Sequence, residues 1–180
     1  NGAASIGAIT GRATSITETS INGTATITVP STDNTGWYAD SGSMTEITDG
    51  DWPGDTETIT GPFAHMDGFA LIMTTRGRLW ASDVNSVTAW TANSFGATNA
   101  YPDTGVAAIR RGTYVMAFCS THLEFWSNAG LSPFPLARAA AMTVKVGAVS
   151  ADAIARIADT IFWAGSAPEG GLSVFQYDGS

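Results

Sequence analysis

Apolar and polar positions along the chain form one unit that occurs four times. In each unit a pair of turn residues precedes a continuous apolar run rich in β-branched and aromatic side chains. The turn pairs are Asn22-Gly23, Asp67-Gly68, Arg111-Gly112 and Ala158-Asp159, and their second members lie 45, 44 and 47 residues apart. Asn-Gly and Asp-Gly supply the positive φ angles that a tight hairpin requires. Continuous apolar runs are typical of strands covered on both faces, so the pattern predicts repeated antiparallel hairpins.

A second marker keeps step with the first. After each apolar run comes another strand-like segment that carries an aromatic residue and ends on Asp or Asn. The final residues are Asp40, Asp83, Asn128 and Asp178, which lie 43, 45 and 50 residues apart. A period of about 40–45 residues with roughly four strands is typical of a β-propeller blade. The sequence therefore predicts an all-β, β-propeller-like fold with about four antiparallel blades.

The predicted repeats belong to one domain, residues 1–180, which we interpret as a fragment of a longer chain. They cover approximately residues 12–52, 60–93, 104–137 and 146–180. Four blades could close on themselves, or they could form a partial propeller. As half of a larger propeller, two copies would complete an eight-bladed ring, because open sheet faces drive association.

Three segments test the boundaries of these repeats. Residues 44–48 alternate apolar and polar side chains, which predicts a half-exposed outer strand. Residues 149–157 precede the fourth turn pair, so we predict a strand there although their composition is helical. Pro133 and Pro135 exclude a central strand from residues 132–136, which we expect to form a connection or an edge.

Composition and charge exclude several classes of function. Hydrophobic residues make up 44% of the 180 residues and charged residues 13%, which excludes a charge-rich disordered segment. The net charge is −8, Lys145 is the single lysine, and Arg110-Arg111 is the only basic doublet. Binding to phosphate backbones needs clustered Lys and Arg, so we expect no direct nucleic-acid binding. No apolar run approaches the ~18 residues that span a bilayer, so we expect no membrane partner.

The residues that could carry metal or catalytic chemistry are few. Cys119 is the single cysteine, so we expect neither a disulfide nor a cysteine-based metal site. Its apolar neighbours, residues 115–118, predict a buried, unreactive thiol. His65 and His122 show no HxH or HExxH spacing, and we interpret both as polar residues at or before turns. We expect no catalytic, metal-binding or cofactor-binding residues and no enzymatic activity.

Residues 49–55 contain three carboxylates, those of Asp49, Asp51 and Asp55. Alternating carboxylates suggest calcium, but an EF-hand needs a twelve-residue loop that ends in Glu between two helices. Pro53 and the strand-like flanks argue against that arrangement. We interpret the segment as a solvated acidic loop, with calcium binding as the alternative.

Trp37, Trp80 and Trp126 fall at nearly the same place in successive repeats. Such rings could line a sugar-binding face, but interblade packing is the more common use of an aromatic side chain at this place. Separate blades could also supply the paired carboxylates of a glycosidase, although no two residues stand out as candidates.

The segment from Asp67 to Asp178 resembles the packaged-DNA stabilisation protein of short-tailed bacteriophages, also called the tail hub or nozzle. The blocks that carry the resemblance are Asp67-Gly68-Phe69, residues 79–83 with Trp90, residues 123–130 with 133–135, and residues 146–150, 159–165, 170–171 and 177–179. The resemblance covers about 110 residues well and the first 60 loosely. Full-length members of that family are far longer than this chain.

The resemblance implies a structural virion protein of the phage tail, assembled in the bacterial cytoplasm, that closes the tail channel and helps to retain packaged DNA. It also implies a ring-forming homo-oligomer with an adaptor and a plug or needle as partners, and no catalytic residues. A negatively charged wall suits this role, because it repels phosphate and lets the duplex slide. Two alternatives remain: a propeller that binds a glycan or a protein, and a propeller hydrolase.

Overall fold

The computed structural model describes residues 16–20, 23–27, 37–40, 43–101, 103–167 and 170–179, and in these ranges it contains strands and short 3-10 helices but no α-helix. The predicted all-β fold is confirmed. The strands are β1 (Ile16–Ser20), β2 (Gly23–Ile27), β3 (Trp37–Asp40), β4 (Ser43–Glu46), β5 (Ile59–Met66), β6 (Phe69–Thr74), β7 (Arg78–Ser82), β8 (Trp90–Ala97), β9 (Gly105–Arg111), β10 (Tyr114–Cys119), β11 (Leu123–Asn128), β12 (Leu136–Arg138), β13 (Ile154–Ile157), β14 (Thr160–Ser166) and β15 (Leu172–Tyr177).

The strands form antiparallel sheets in which sequence neighbours pair. Strands β5 to β8 form sheet A, β9 to β12 form sheet B, and β13 to β15 form sheet C. Nearer the N-terminus, β1 pairs with β2 and β3 pairs with β4 in two separate two-stranded ladders. Sheets A, B and C therefore correspond to the second, third and fourth predicted repeats.

The hairpin turns have a different phase from the predicted turn pairs. The two-residue turns are Asp67-Gly68, Gly112-Thr113 and Ala158-Asp159, because Arg111 already pairs with Tyr114 in the ladder of β9 and β10. The first residue of each turn has a positive φ, at 52°, 58° and 53° respectively. Glycine thus occupies the first turn position in sheet B and the second in sheet A, so the predicted pair Arg111-Gly112 was one residue early.

Other boundaries were also shifted. Gly23 lies within β2 and pairs with Ser20, whereas Asn22 lies outside the described residues. The strand predicted over residues 149–157 begins only at Ile154, because a 3-10 helix precedes it. The hydroxyl of Ser150 caps that helix by accepting a hydrogen bond from the backbone N–H of Asp152 at 3.2 Å.

Two predictions about edges can be compared directly. Residues 132–135 lie in the connection from β11 to β12, and Leu136 begins β12, an edge strand of sheet B, as the two prolines predicted. The strand predicted over residues 44–48 ends at Glu46. The next residue, Ile47, is buried at 4% exposure.

The hydrophobic core lies between consecutive sheets. Side chains alternate between the two faces of a strand, and sheet B packs on sheet A with one face and on sheet C with the other. The A–B cluster includes Leu71, Met73 and Leu79 from sheet A and Val115, Ala117 and Trp126 from sheet B. The B–C cluster includes Met116, Phe118, Leu123 and Phe125 from sheet B and Ile161 and Trp163 from sheet C. The other face of sheet A packs against Ile47 and Trp52 of the segment that follows β4.

Candidate functional site

A buried polar cluster lies at the boundary between sheets A and B. The hairpin of β10 and β11 turns through Ser120 and Thr121, and the backbone N–H of Cys119 donates to the carbonyl of His122 at 2.8 Å. Cys119 and His122 are therefore cross-strand neighbours whose side chains share one face. They are 0% and 1% exposed, respectively.

Asp103 reaches this hairpin from the segment that joins sheet A to sheet B. Its carboxylate accepts hydrogen bonds from the Thr121 backbone N–H at 2.5 Å, the Thr121 hydroxyl at 2.6 Å, the Ser120 hydroxyl and the Thr104 N–H. Its Oδ2 also lies 3.2 Å from Nδ1 of His122. Burial acts to raise the pKa of Asp103, but the hydrogen bonds from Ser120, Thr121 and Thr104 hold it below its ordinary value.

Glu124 places a second carboxylate on the same face, two residues after His122. Its side chain is 0% exposed, and Oε1 accepts from the Ala100 N–H at 2.8 Å and from Arg138 Nη1 at 3.1 Å. The other oxygen, Oε2, has no hydrogen-bond partner, and neither has Nε2 of His122, which lies 3.5 Å from Glu124 Oε1. The cluster thus ties the A–B connection to sheet B.

Cys119 is fully buried, as its apolar neighbours predicted. Burial chiefly, with the nearby charges of Asp103 and Glu124, raises the pKa of Cys119 to about 12, although its hydrogen bond to the Thr98 hydroxyl acts in the opposite direction. His122 was predicted to be a turn residue, but it lies directly after the two-residue turn, where it is buried beside two carboxylates. The ligand atoms of Asp103, Cys119 and His122 lie within 4.8 Å of one another.

The remaining predicted candidates lie apart from this cluster. His65 is an exposed residue of β5, one position before Met66 ends the strand. In the acidic loop, Asp49 Oδ1 accepts a hydrogen bond from the Asp51 N–H at 2.9 Å, and a 3-10 helix follows at Pro53–Asp55. Within the described ranges, the loop's carboxylates do not form a cluster of three potential metal ligands.

The tryptophans pack rather than form an exposed platform. Trp80 is 7% exposed and its ring lies tilted against that of Phe95, with 4.7 Å between centroids, and Trp126 is 6% exposed. Trp126 packs against Phe134 and the backbone of Gly96 in sheet A, where a Cβ would meet the indole at 2.7 Å. Interblade packing is confirmed for Trp126, whereas the side chain of Trp37 lies outside the described residues.

The far face of sheet C is apolar and uncovered. The residue five positions after the hairpin turn is Met73 in sheet A, Phe118 in sheet B and Ala164 in sheet C. Their cross-strand partners are Leu79, Leu123 and Val174, respectively. Leu79 and Leu123 are 0% and 1% exposed because the next sheet covers them, whereas Val174 is 74% exposed. Leu172 and Ile157 lie on the same face and are 68% and 65% exposed. We call this surface, which contains Ile157, Phe162, Leu172 and Val174, the outer face.

No helix within the described residues has the length and apolar character needed to cross a membrane.

Comparison with known proteins identifies the family of this fold. No curated protein matches the chain in a sequence comparison. The model of one family, described as the β-propeller of bacteriophage P22 Gp10, matches residues 2–180. Because this match covers nearly the whole chain, the protein belongs to that phage β-propeller stabilisation family.

Proposed function

We propose that this chain is a structural part of a phage tail hub, that it closes the tail channel and helps to retain packaged DNA, and that it works by assembly rather than catalysis. Membership of a phage propeller family supports a virion role. The observation that carries the assembly role is the outer face. Val174 is exposed at a position whose equivalents, Leu79 and Leu123, are covered by the next sheet.

The occupant we propose for the outer face is a blade of a second copy of this chain. Within the chain, the equivalent residues Leu79 and Leu123 each pack against the next blade, at the A–B and B–C boundaries. A further blade is therefore the partner expected at Val174. Burial of apolar surface contributes about 25 cal/mol per Å², so Leu172, Val174 and Ile157 favour association. The adaptor and the plug or needle are the other proposed partners.

The charge distribution supports a channel wall that does not grip DNA. The net charge is −8, and the only basic doublet already bridges sheets. Arg110 Nη1 donates to the carbonyl of His65 in sheet A at 3.3 Å, and Arg111 Nε donates to the carbonyl of Asp159 in sheet C at 2.6 Å. Backbone carbonyls therefore already engage part of each guanidinium group.

Gold-labelled antibody against this chain, imaged on phage particles, tests the virion role. We expect label at the tail end. Intact tailed particles without label, from a lysate that contains the antigen, would contradict the proposal. The burial of Trp80 and Trp126 argues against a glycan-binding face built on these two rings.

Light scattering of the purified chain tests association through the outer face. We expect a dimer or larger assembly that Val174→Asp reduces to a monomer. Ala92→Asp, at an exposed position on edge strand β8, is the matched control and leaves the mass unchanged. A wild-type monomer at all concentrations would refute the second-copy occupant.

A further inference from the structure

The turn at the end of β10 and β11 has the spacing of a metal-binding hairpin. Cys119 and His122 flank a two-residue turn, so the sequence reads Cys-x-x-His, and the ladder places both side chains on the face toward sheet A. Two ligands separated by two residues in a tight turn are a recurrent half of tetrahedral zinc sites. Neither residue by itself suggests a metal site, because the sequence contains one cysteine and its other histidine is His65.

Asp103 supplies a third ligand from a different part of the fold. Its Oδ2 lies 3.2 Å from Nδ1 of His122, and the ligand atoms of Asp103, Cys119 and His122 all lie within 4.8 Å of one another. Zinc bonds of about 2.0–2.3 Å place tetrahedral ligand atoms about 3.3–3.8 Å apart. Side-chain adjustments of about an ångström would therefore close the site without moving the backbone hairpin.

Two buried polar atoms beside the three candidate ligands have no hydrogen-bond partner. Glu124 is fully buried, yet its Oε2 has no partner, and Nε2 of His122 has none either. By contrast, the buried carboxylate of Glu57 uses both oxygens, accepting from Thr74 Oγ1 and from Arg78 Nη1, each at 2.5 Å. An unsatisfied buried carboxylate oxygen is costly.

The charges of the cluster favour a cation. It contains two carboxylates, Asp103 and Glu124, and one arginine, Arg138, which pairs with Glu124, so it carries one net negative charge when His122 is neutral. A divalent cation that displaces the thiol proton of Cys119 adds one net positive charge. The loaded cluster would be neutral, which suits its burial.

We propose that Asp103, Cys119 and His122 form a zinc site that clamps the A–B connection to sheet B, with His122 bound through Nδ1. Coordination at Nδ1 leaves the proton on Nε2, 3.5 Å from Glu124 Oε1, so Glu124 becomes the carboxylate that orients the ligand histidine. The metal replaces the hydrogen bond between Asp103 and His122. The covalent S–H bond of Cys119 breaks, and its proton passes to solvent. Three protein ligands leave the fourth position to water.

The competing occupant is a proton. An imidazolium at His122 would also neutralise the cluster, because its two nitrogens face Asp103 Oδ2 at 3.2 Å and Glu124 Oε1 at 3.5 Å. Lys145, whose Nζ lies 5.5 Å from the ring centroid of Tyr101, and Arg138 are the other charged groups nearby. Coordination by the Cys119 thiolate distinguishes a metal ion from a proton, because a proton on His122 leaves the Cys119 thiol unbound.

Cobalt substitution provides the test. The chelator-treated chain is titrated with Co²⁺, and we expect one equivalent to give intense tetrahedral visible bands with a thiolate-to-cobalt charge-transfer band, both displaced by Zn²⁺. Cys119→Ser should abolish the charge-transfer band. His65→Asn, which changes the exposed second histidine, should leave it intact. Weak octahedral bands without charge transfer in the wild-type chain would overturn the proposal, whatever the variants do.

Thermal unfolding supplies a second readout that needs no variant. Zinc at a hundredfold excess over its dissociation constant should raise the Tm by about 5–10 °C for a chain of this size. Mg²⁺ at the same concentration should leave the Tm unchanged, because a thiolate and an imidazole discriminate against it. An unchanged Tm at saturating Zn²⁺ would also overturn the zinc site.

Discussion

The pair Leu123 and Val174 offers a matched test of how the sheets stack. Both residues occupy the same register position of successive sheets, opposite Phe118 and Ala164, but they are 1% and 74% exposed. Leu123→Ala removes side-chain atoms from the B–C cluster, which costs about 3 kcal/mol because the cavity collapses only partly. For about 180 residues this corresponds to a Tm lower by about 6–12 °C.

Val174→Ala removes atoms that are mostly in water, so we expect a change within about 0.5 kcal/mol in the dilute monomer. The assay is guanidinium unfolding followed by tryptophan fluorescence, because Trp163 lies in the same cluster as Leu123. At high concentration Val174→Ala should become destabilising, since the outer face is then covered. Equal losses for both variants at low concentration would refute the stacking order deduced from the register.

Three further predictions concern single residues. Gly165→Ala should lower stability by about 1–3 kcal/mol in the same assay, because its Cβ would overlap the carbonyl oxygen of Gly147, whereas Gly171→Ala, with open space around it, should stay within about 0.5 kcal/mol. Asp103→Asn should cost about 2–3 kcal/mol through the loss of charge-assisted hydrogen bonds, and an unchanged midpoint would contradict that account. Cys119, with its pKa raised to about 12, should resist alkylation until the chain unfolds; rapid native labelling at neutral pH would show that its burial is not maintained.

The repeat was predictable because its physical cause is local. A two-residue turn needs one residue that tolerates positive φ, and the strands after it need apolar side chains on both faces. The phase was not predictable, since glycine can take either turn position. It takes the second in Asp67-Gly68 and the first in Gly112-Thr113, and at Ala158 an alanine adopts a φ of 53° without any glycine.

The burial of His122 could not be predicted from its immediate neighbours. Ser120 and Thr121 precede it in the turn and Leu123 follows it. Its two partners are Asp103, from the preceding connection, and Glu124, two residues later in β11. The available signal was the pairing of Cys119 with His122 across two residues. That spacing gains meaning only once the hairpin turn is known to contain Ser120 and Thr121 alone.

Register equivalence explains why, among the sheets described, this cluster lies at the A–B boundary. The residue four positions after the hairpin turn is Ile72 in sheet A, Ala117 in sheet B and Trp163 in sheet C. Their cross-strand partners are Trp80, Glu124 and Phe175, respectively. Sheets A and C place an aromatic ring there, and sheet B places a carboxylate. An aromatic ring at this position gains stability by apolar burial, whereas a buried carboxylate must find cations and donors. Glu124 therefore marks the place where the repeat departs from apolar packing, and the groups that surround its Oε1 are the Ala100 N–H, Arg138 and His122 of the Cys-x-x-His turn.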